Sequence, residues 1–277
     1  MAITSITDTT TLSNGVKMPW FGLGTMSTGQ SDEEVAEVIK SAAKVGYRSF
    51  DTAKVYKNET GVGKGLKESG VAREELFITT KLANTDHGYD EALKAFDESM
   101  EKLGLDYLDM YLVHWPVPGH LESWKALEKL YKDGRVRAIG VSNFLGHHLE
   151  ALFKVAEIRP MVNQYEYHPL LTQKDLLAYN KAQDIQVEGY YALRDSQEIP
   201  EIIEIARNCK KTPAQVVLRW SLQSGVVTIP KSTREERQRE NAGIFDFELS
   251  EQDMAVIDSL DNEKRRNPHP DEVKVSK

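Results

Sequence analysis

Hydrophobic and polar positions along the chain follow two alternating periods. Short runs rich in β-branched and aromatic residues read "PWFGLGTM", "YRSFDTA", "LFITTKL", "LDMYLVHW", "VRAIGVSNF", "MVNQYEYH", "IQVEGYYAL" and "GVVTIPKS". Several are apolar for much of their length, which predicts strands covered on both faces, as in a parallel sheet. The segments between them carry a helical period. "SDEEVAEVIKSAAKVG" opens with Ser31 three residues before Glu34, a capping-box spacing, and stops at Gly46 as a C-terminal cap would. "YDEALKAFDESMEKLG" and "LESWKALEKLYKDG" end likewise in Gly104 and Gly134. "TPAQVVLRWSLQSG" has Thr212 as N-cap, Pro213 in the first helical position and Gly225 at the end.

Eight strand signals separated by helices, with no linker-like stretch, predict an α/β fold: a (β/α)8 TIM barrel occupying residues 1–277 as one domain. A doubly wound sheet fits less well, because "GLGTMSTG" lacks the GxGxxG spacing of a dinucleotide turn. Asn-Gly in "TTLSNGVKMP" sits between short β-prone runs and predicts an N-terminal β-hairpin closing the barrel bottom. From about residue 262 the chain turns polar, "NEKRRNPHPDEVKVSK", with two prolines, and is expected to be draped over the barrel or disordered.

Charge narrows the partners. The formal net charge is −8 and no Lys/Arg block is long enough to follow a phosphate backbone, so nucleic acid is not expected. The single cysteine, Cys209, cannot form an internal disulfide, which suits a reducing compartment. No histidine adjoins it, so it reads as filler rather than as a catalytic thiol. The opening "MAITSITDTTTLSNG" has no basic or apolar leader region, and no later run reaches membrane-spanning length. A cytoplasmic protein without a membrane partner is the expectation.

A barrel places its chemistry at the C-terminal ends of its strands. Polar residues stand there: Asp51 after "YRSF", Lys81 after "LFITT", His114 after "LDMYLV", Ser142 and Asn143 after "AIGV", and Gln164 after "MV". Tyr56 follows Asp51 closely. A phenol of pKa ~10 is too weak an acid near neutrality; a neighbouring ammonium, Lys81, is expected to lower it, with Asp51 keeping that lysine charged. His114 can hydrogen-bond a carbonyl oxygen. A proton donor beside a polar pocket for an oxygen that turns negative as hydride arrives is equipment for carbonyl reduction, without a metal.

These residues stand in stretches, "FDTAKVYKNETGVGKGL", "ELFITTKL", "LDYLDMYLVHWP", "RAIGVSNF", "MVNQYEYHP" and "VVTIPKSTREERQREN", whose order resembles the aldo-keto reductase superfamily, in its bacterial diketogulonate-reductase-like branch. The resemblance covers nearly the whole chain. It implies a (β/α)8 barrel that reduces aldehydes, ketones or α-dicarbonyls with NADPH, without a Rossmann domain, and a monomer, the common state among relatives. By position, Asp51, Tyr56, Lys81 and His114 match the catalytic tetrad, with Tyr56 as general acid. Ser142, Asn143 and Gln164 match the carboxamide-binding residues, and Tyr190 the ring that stacks on nicotinamide. Lys231 and Ser232 of "IPKS", with Arg237, Glu240 and Asn241, match the segment at the adenosine end. Lys231, Ser232 and Arg237 also suit a 2′-phosphate on chemical grounds, although Arg234 and Arg239 nearby equally allow a solvated basic turn.

The departures from that pattern cluster at the inferred mouth: Met26, Lys54, Ala83, Tyr165 and the stretch "EGYYALRDSQEIPEI", where Tyr191, Ala192, Leu193 and Arg194 replace the usual Ser-Pro-Leu-Gly. That loss removes groups used around the pyrophosphate, so weaker NADPH binding is expected. Met26, Ala83, Tyr191 and Trp115 are read as substrate-pocket residues, Trp115 with core packing as its alternative. Lys54 is either a solvated charge or a desolvated amine of lowered pKa able to form a Schiff base, which would turn the barrel to chemistry such as retro-aldol cleavage. A third reading is a ligand-binding barrel with little turnover. His147-His148 has no Cys or carboxylate at a known ligand spacing, so no metal is expected, and His168 reads as structural.

Overall fold

The computed structural model describes residues 3–275. An antiparallel hairpin comes first, β1 (Thr9–Thr11) against β2 (Lys17–Pro19), turning at Asn14-Gly15 with Gly15 at φ 87°. Then follow β3 (Leu23–Gly24), α1 (Asp32–Val45), β4 (Ser49–Asp51), α2 (Glu59–Glu68), β5 (Phe77–Leu82) and α3 (Tyr89–Leu103). The middle of the chain gives β6 (Leu108–Val113), α4 (His120–Lys132), β7 (Val136–Ser142), α5 (Gly146–Phe153), β8 (Val162–Glu166) and α6 (Lys174–Ala182). It continues with β9 (Gln186–Tyr190), α7 (Pro200–Cys209), α8 (Pro213–Gln223), β10 (Val227–Thr228), α9 (Glu235–Ala242) and α10 (Glu251–Asp258).

β3 to β10 form one eight-stranded parallel sheet in sequence order. Its two edges meet at one parallel bridge, Phe21 to Thr228, where Gly22 N donates to Thr228 O at 3.0 Å and Thr228 N to Trp20 O at 3.1 Å. This is the expected (β/α)8 barrel, closed by a seam of a single bridge where every other strand pairing has two or more register pairs. The hairpin covers the face where strands begin: Thr10 Oγ1 donates to Gln186 Oε1 at the start of β9, and Asn14 Nδ2 to Arg137 O near the start of β7.

Every residue of β5 and β6 is buried, as the continuous apolar runs require of strands with helices outside and side chains within. The charge on β6 is compensated: buried Asp109 receives Arg73 and Arg137, each at 2.7 Å. The cap signals hold locally. Glu34 N donates to Ser31 Oγ, while the Glu34 carboxylate turns one residue further back, to Gln30 N. α2 carries three glycines despite their low helix propensity because its neighbours leave no room for side chains. A Cβ on Gly63 would lie 2.2 Å from Leu103 O, and one on Gly61 or Gly65 would strike α1.

The polar tail is draped. Asn262 and Lys264 donate their N–H groups to Leu170 O, Arg266 and Asn267 donate theirs to the Glu166 carboxylate, and Pro270 is buried. Among the described residues no helix is long and apolar enough to cross a membrane.

Candidate active site

Asp51 is the last residue of β4 and pairs with Thr79 of β5, so Lys81, two positions further on, projects from the same face. Lys81 is 0% exposed. Its Nζ donates to Asp51 Oδ1 at 2.5 Å and to Thr52 O at 2.8 Å. Tyr56 ends a single 3-10 turn, Lys54–Tyr56, that leaves β4, and its ring centroid lies 5.3 Å from Lys81 Nζ. His114 follows β6, its ring nearly perpendicular to that of Tyr56 at 6.0 Å. The four residues thus arrive from three neighbouring strand ends.

Burial sets the protonation states. It depresses the Lys81 ammonium, but the charge of Asp51 foremost, with the Asp51 hydrogen bond and any phenolate formed at Tyr56, outweighs it, and the net pKa is raised. Burial also raises the Tyr56 phenol, and the opposing charge of Lys81 does not reverse this. The expected lowering of Tyr56 is therefore corrected: desolvation of the phenolate exceeds the attraction of the ammonium, and the hydroxyl keeps its proton. His114 is pushed down to about 3 by burial, then by Lys81 and His87, which leaves a neutral imidazole.

Gln164 on β8 joins this group. Its Nε2 donates to Asp51 Oδ2 at 2.8 Å and to Glu188 Oε2 at 2.6 Å, which commits both amide hydrogens to carboxylates. Asn143, at φ 65°, donates Nδ2 to His114 O and to Ser142 Oγ, each at 3.0 Å. Its Oδ1 accepts the Tyr190 hydroxyl at 2.6 Å, and that hydroxyl accepts Asn267 Nδ2 at 2.9 Å. The Tyr190 ring is thereby anchored at its polar end.

A cavity of about 580 Å³ opens over these groups. Asp51, Tyr56, His114, Asn143, Gln164 and Tyr190 line it, as do the expected Met26, Trp115, Tyr191 and Lys231. Lys81 and Ser142 lie behind the lining. Ser232 is buried, its Oγ accepting Arg234 N, and Arg237, Glu240 and Asn241 belong to α9, outside this cavity's lining.

Two pocket expectations are corrected. Ala83 is buried and does not line the cavity. Nor does Lys54, whose Nζ is held by Asp86 Oδ2 at 2.7 Å and Glu98 Oε2 at 2.8 Å. Burial alone would lower that ammonium, but the hydrogen bonds and charges of Asp86 and Glu98 raise it overall. Lys54 is neither a solvated charge nor a poised amine; it ties the turn carrying Tyr56 to the loop after β5 and to α3. Tyr165 is buried in the wall rather than facing substrate.

Sequence reasoning missed several participants. Glu188 is fully buried on β9, its carboxyl raised well above the usual range by desolvation and by the charge of Asp51. Asn267 reaches the cavity from the draped tail, which no local period foretells. The His147-His148 pair does find a carboxylate, contrary to expectation: Asp271 Oδ1 lies 2.9 Å from His147 Nε2 and 3.1 Å from His148 Nε2. His148 Nδ1 accepts Leu145 N–H, which puts the ring proton on Nε2, pointing at Asp271. A hydrogen-bonded latch for the tail accounts for this cluster. His168 is structural, as expected, with Nε2 at 3.0 Å from Glu166 Oε1.

Known proteins resemble the chain over most of its length. The chain is 58% identical over 273 residues to a glyoxal reductase of Bacillus subtilis (strain 168), covering 98% of this chain and 99% of that protein. It is 46% identical over 270 residues to a methylglyoxal reductase of Escherichia coli (strain K12), covering 94% and 96%. The crystal structure of a Bombyx mori aldo-keto reductase in complex with NADP superposes with a TM-score of 0.91 at 34% identity, covering 98% of this chain and 97% of that one. The model of the Aldo/keto reductase family matches residues 21–262. With its barrel, its strand-end constellation and this match over most of its length, the chain belongs to the aldo/keto reductase family.

Proposed function

We propose that this chain reduces small aldehydes, ketones or α-dicarbonyls to alcohols at the expense of NADPH, with Tyr56 as general acid. The observation that carries the reading is the meeting of Tyr56, His114 and the Lys81–Asp51 pair at the floor of one cavity. The glyoxal and methylglyoxal reductases among its relatives support small dicarbonyls as substrates.

The residues present fit a nicotinamide dinucleotide. Gln164 has both amide hydrogens committed to Asp51 and Glu188, so Oε1 is the atom left to accept from a carboxamide N–H. Tyr190, held through its hydroxyl by Asn143 and Asn267, offers a fixed aromatic face. Lys231, Ser232 and Arg237 supply two cations and a hydroxyl for the 2′-phosphate, with Glu240 and Asn241 beside them on α9. When bound, NADPH supplies the hydride that reduces the carbonyl carbon.

The chain's own residues handle the oxygen. His114, neutral because burial and Lys81 hold its pKa near 3, donates a hydrogen bond to the carbonyl and fixes its direction. Tyr56, still protonated, gives its proton to that oxygen as negative charge develops. Lys81 stabilises the phenolate left behind, and Asp51 keeps the ammonium charged and in place. Trp115, beside His114 at 6.4 Å between ring centroids, closes the substrate side. Loss of absorbance at 340 nm on mixing folded protein, NADPH and methylglyoxal tests the proposal; an unchanged absorbance across a panel of aldehydes and dicarbonyls overturns it.

A further inference from the structure

The loop after β9 carries a cation for which the proposed reaction has so far no use. β9 lies between β8 and β10 in the sheet. The residues proposed for the nicotinamide end, Gln164 and Asn143, belong to β8 and the end of β7; those proposed for the adenosine phosphate follow β10. A molecule reaching from one group to the other crosses the end of β9. There the backbone is bent by two non-glycine residues in the left-handed region, Tyr191 at φ 58° and Asp195 at φ 52°. Arg194 N donates to Tyr191 O at 2.9 Å, closing the turn between them. Left-handed conformations at residues with a Cβ cost free energy and persist where the surroundings impose them.

The turn sets Arg194 into the cavity wall. Its Nε is buried and has no hydrogen-bond partner among the described residues. The nearest carboxylate, Asp195 Oδ1, is 4.0 Å away, beyond hydrogen-bond reach, and the other oxygen of Asp195 faces Lys264 at 3.7 Å. The guanidinium carbon sits 5.6 Å from the Tyr191 ring centroid, and 36% of the Arg194 side chain remains exposed. Lys231 lines the same cavity from the neighbouring strand end.

Resting on the NADPH reading above, we infer that Arg194 is a cofactor-binding residue, its guanidinium taking the diphosphate where the dinucleotide crosses the loop after β9. A guanidinium presents several N–H donors in a plane and binds two phosphate oxygens at once, whereas a lysine acts as a point charge.

Titrating protein tryptophan fluorescence with NADPH, and separately with 2′-AMP, tests this in the wild type, Arg194→Leu and Arg194→Lys, with thermal melts confirming that each is folded. Arg194→Leu is expected to weaken NADPH about tenfold, the scale of one charge-assisted contact. It leaves 2′-AMP unchanged, because that ligand has no diphosphate, and it flattens the salt dependence of NADPH binding. Arg194→Lys restores part of the loss. An unchanged NADPH affinity in folded Arg194→Leu overturns the inference, as does an equal loss for 2′-AMP, which would place Arg194 at the adenosine end. So does a raised KM for a 2-oxo acid with NADPH affinity intact, which would assign the guanidinium to a substrate carboxylate. A wild type that binds no NADPH overturns both this inference and the function on which it rests.

Discussion

Lys81 Nζ donates to Asp51 Oδ1 at 2.5 Å across two adjacent strands, in a part of the barrel where the lysine has no solvent contact. Removing one partner of such a pair strands the other charge. Lys81→Met is expected to lower unfolding stability by about 3–5 kcal/mol. On the proposed mechanism it also removes the ammonium that would stabilise a Tyr56 phenolate, so turnover is expected to fall by about 100-fold or more. Urea unfolding and the 340 nm assay read these separately; a stable variant with unimpaired turnover would count against the pair's role.

Tyr56→Phe keeps the ring and deletes the proton. Turnover should fall by about 10²–10⁴-fold while NADPH affinity stays within about twofold. Fluorescence titration beside steady-state kinetics checks the split, and a variant retaining wild-type kcat would transfer the acid role elsewhere.

The pH profile of reduction follows from two shifts of opposite sign. His114 titrates near 3, so it remains neutral throughout the ordinary assay range and produces no acidic limb there. Tyr56 lies above its ordinary value, and a general acid works while protonated, so activity persists until the pH exceeds about 10. A plateau from pH 5 to 9 is expected; a limb near pH 6.5 that disappears in His114→Gln would show an imidazolium at work.

Stability has a different pH dependence. His87 and His148 are each held at about 4, and His114 at about 3, all below the unfolded value of about 6.5. Depressed groups stabilise the fold fully above the unfolded pKa and lose that contribution as pH falls towards the folded values. Urea midpoints should therefore be level above about pH 7 and decline from about 6.5 down to 4, with net proton uptake on unfolding. A midpoint unchanged between pH 7 and pH 4.5 would refute the assignment.

Lys54 separates the family reaction from amine chemistry. Lys54→Met should leave carbonyl reduction within about threefold while costing stability, because Asp86 and Glu98 lose their shared cation. Borohydride trapping with a carbonyl ligand followed by mass analysis should find Lys54 unmodified.

The barrel was legible because its cues are local. Alternating periods, Ser31 and Thr212 at helix starts, and Gly46 and Gly104 at helix ends each report on a few adjacent residues. Asp51, Lys81, His114 and Gln164 were legible for a related reason: a barrel's strand ends converge whatever the side chains between them. Lys54 was not, because its environment depends on Asp86 and Glu98, which approach only after folding. Asn267 and Asp271 were hidden in a polar tail without periodicity, and the charge state of Tyr56 depended on how much water the folded mouth excludes.

The seam at Phe21 and Thr228 has a mechanical consequence. Gly24 and Thr25 line the cavity from one side of it, and Ile229, Pro230 and Lys231 from the other, so the joint and the ligand cleft share their edges. On the proposed NADPH reading, a dinucleotide lying across both edges would act as a staple on the narrowest join of the barrel. Amide hydrogens of Gly22 and Thr228, the rivets of that join, should then exchange more slowly in the loaded protein than in the empty one, more so than those of the broad β5–β6 ladder.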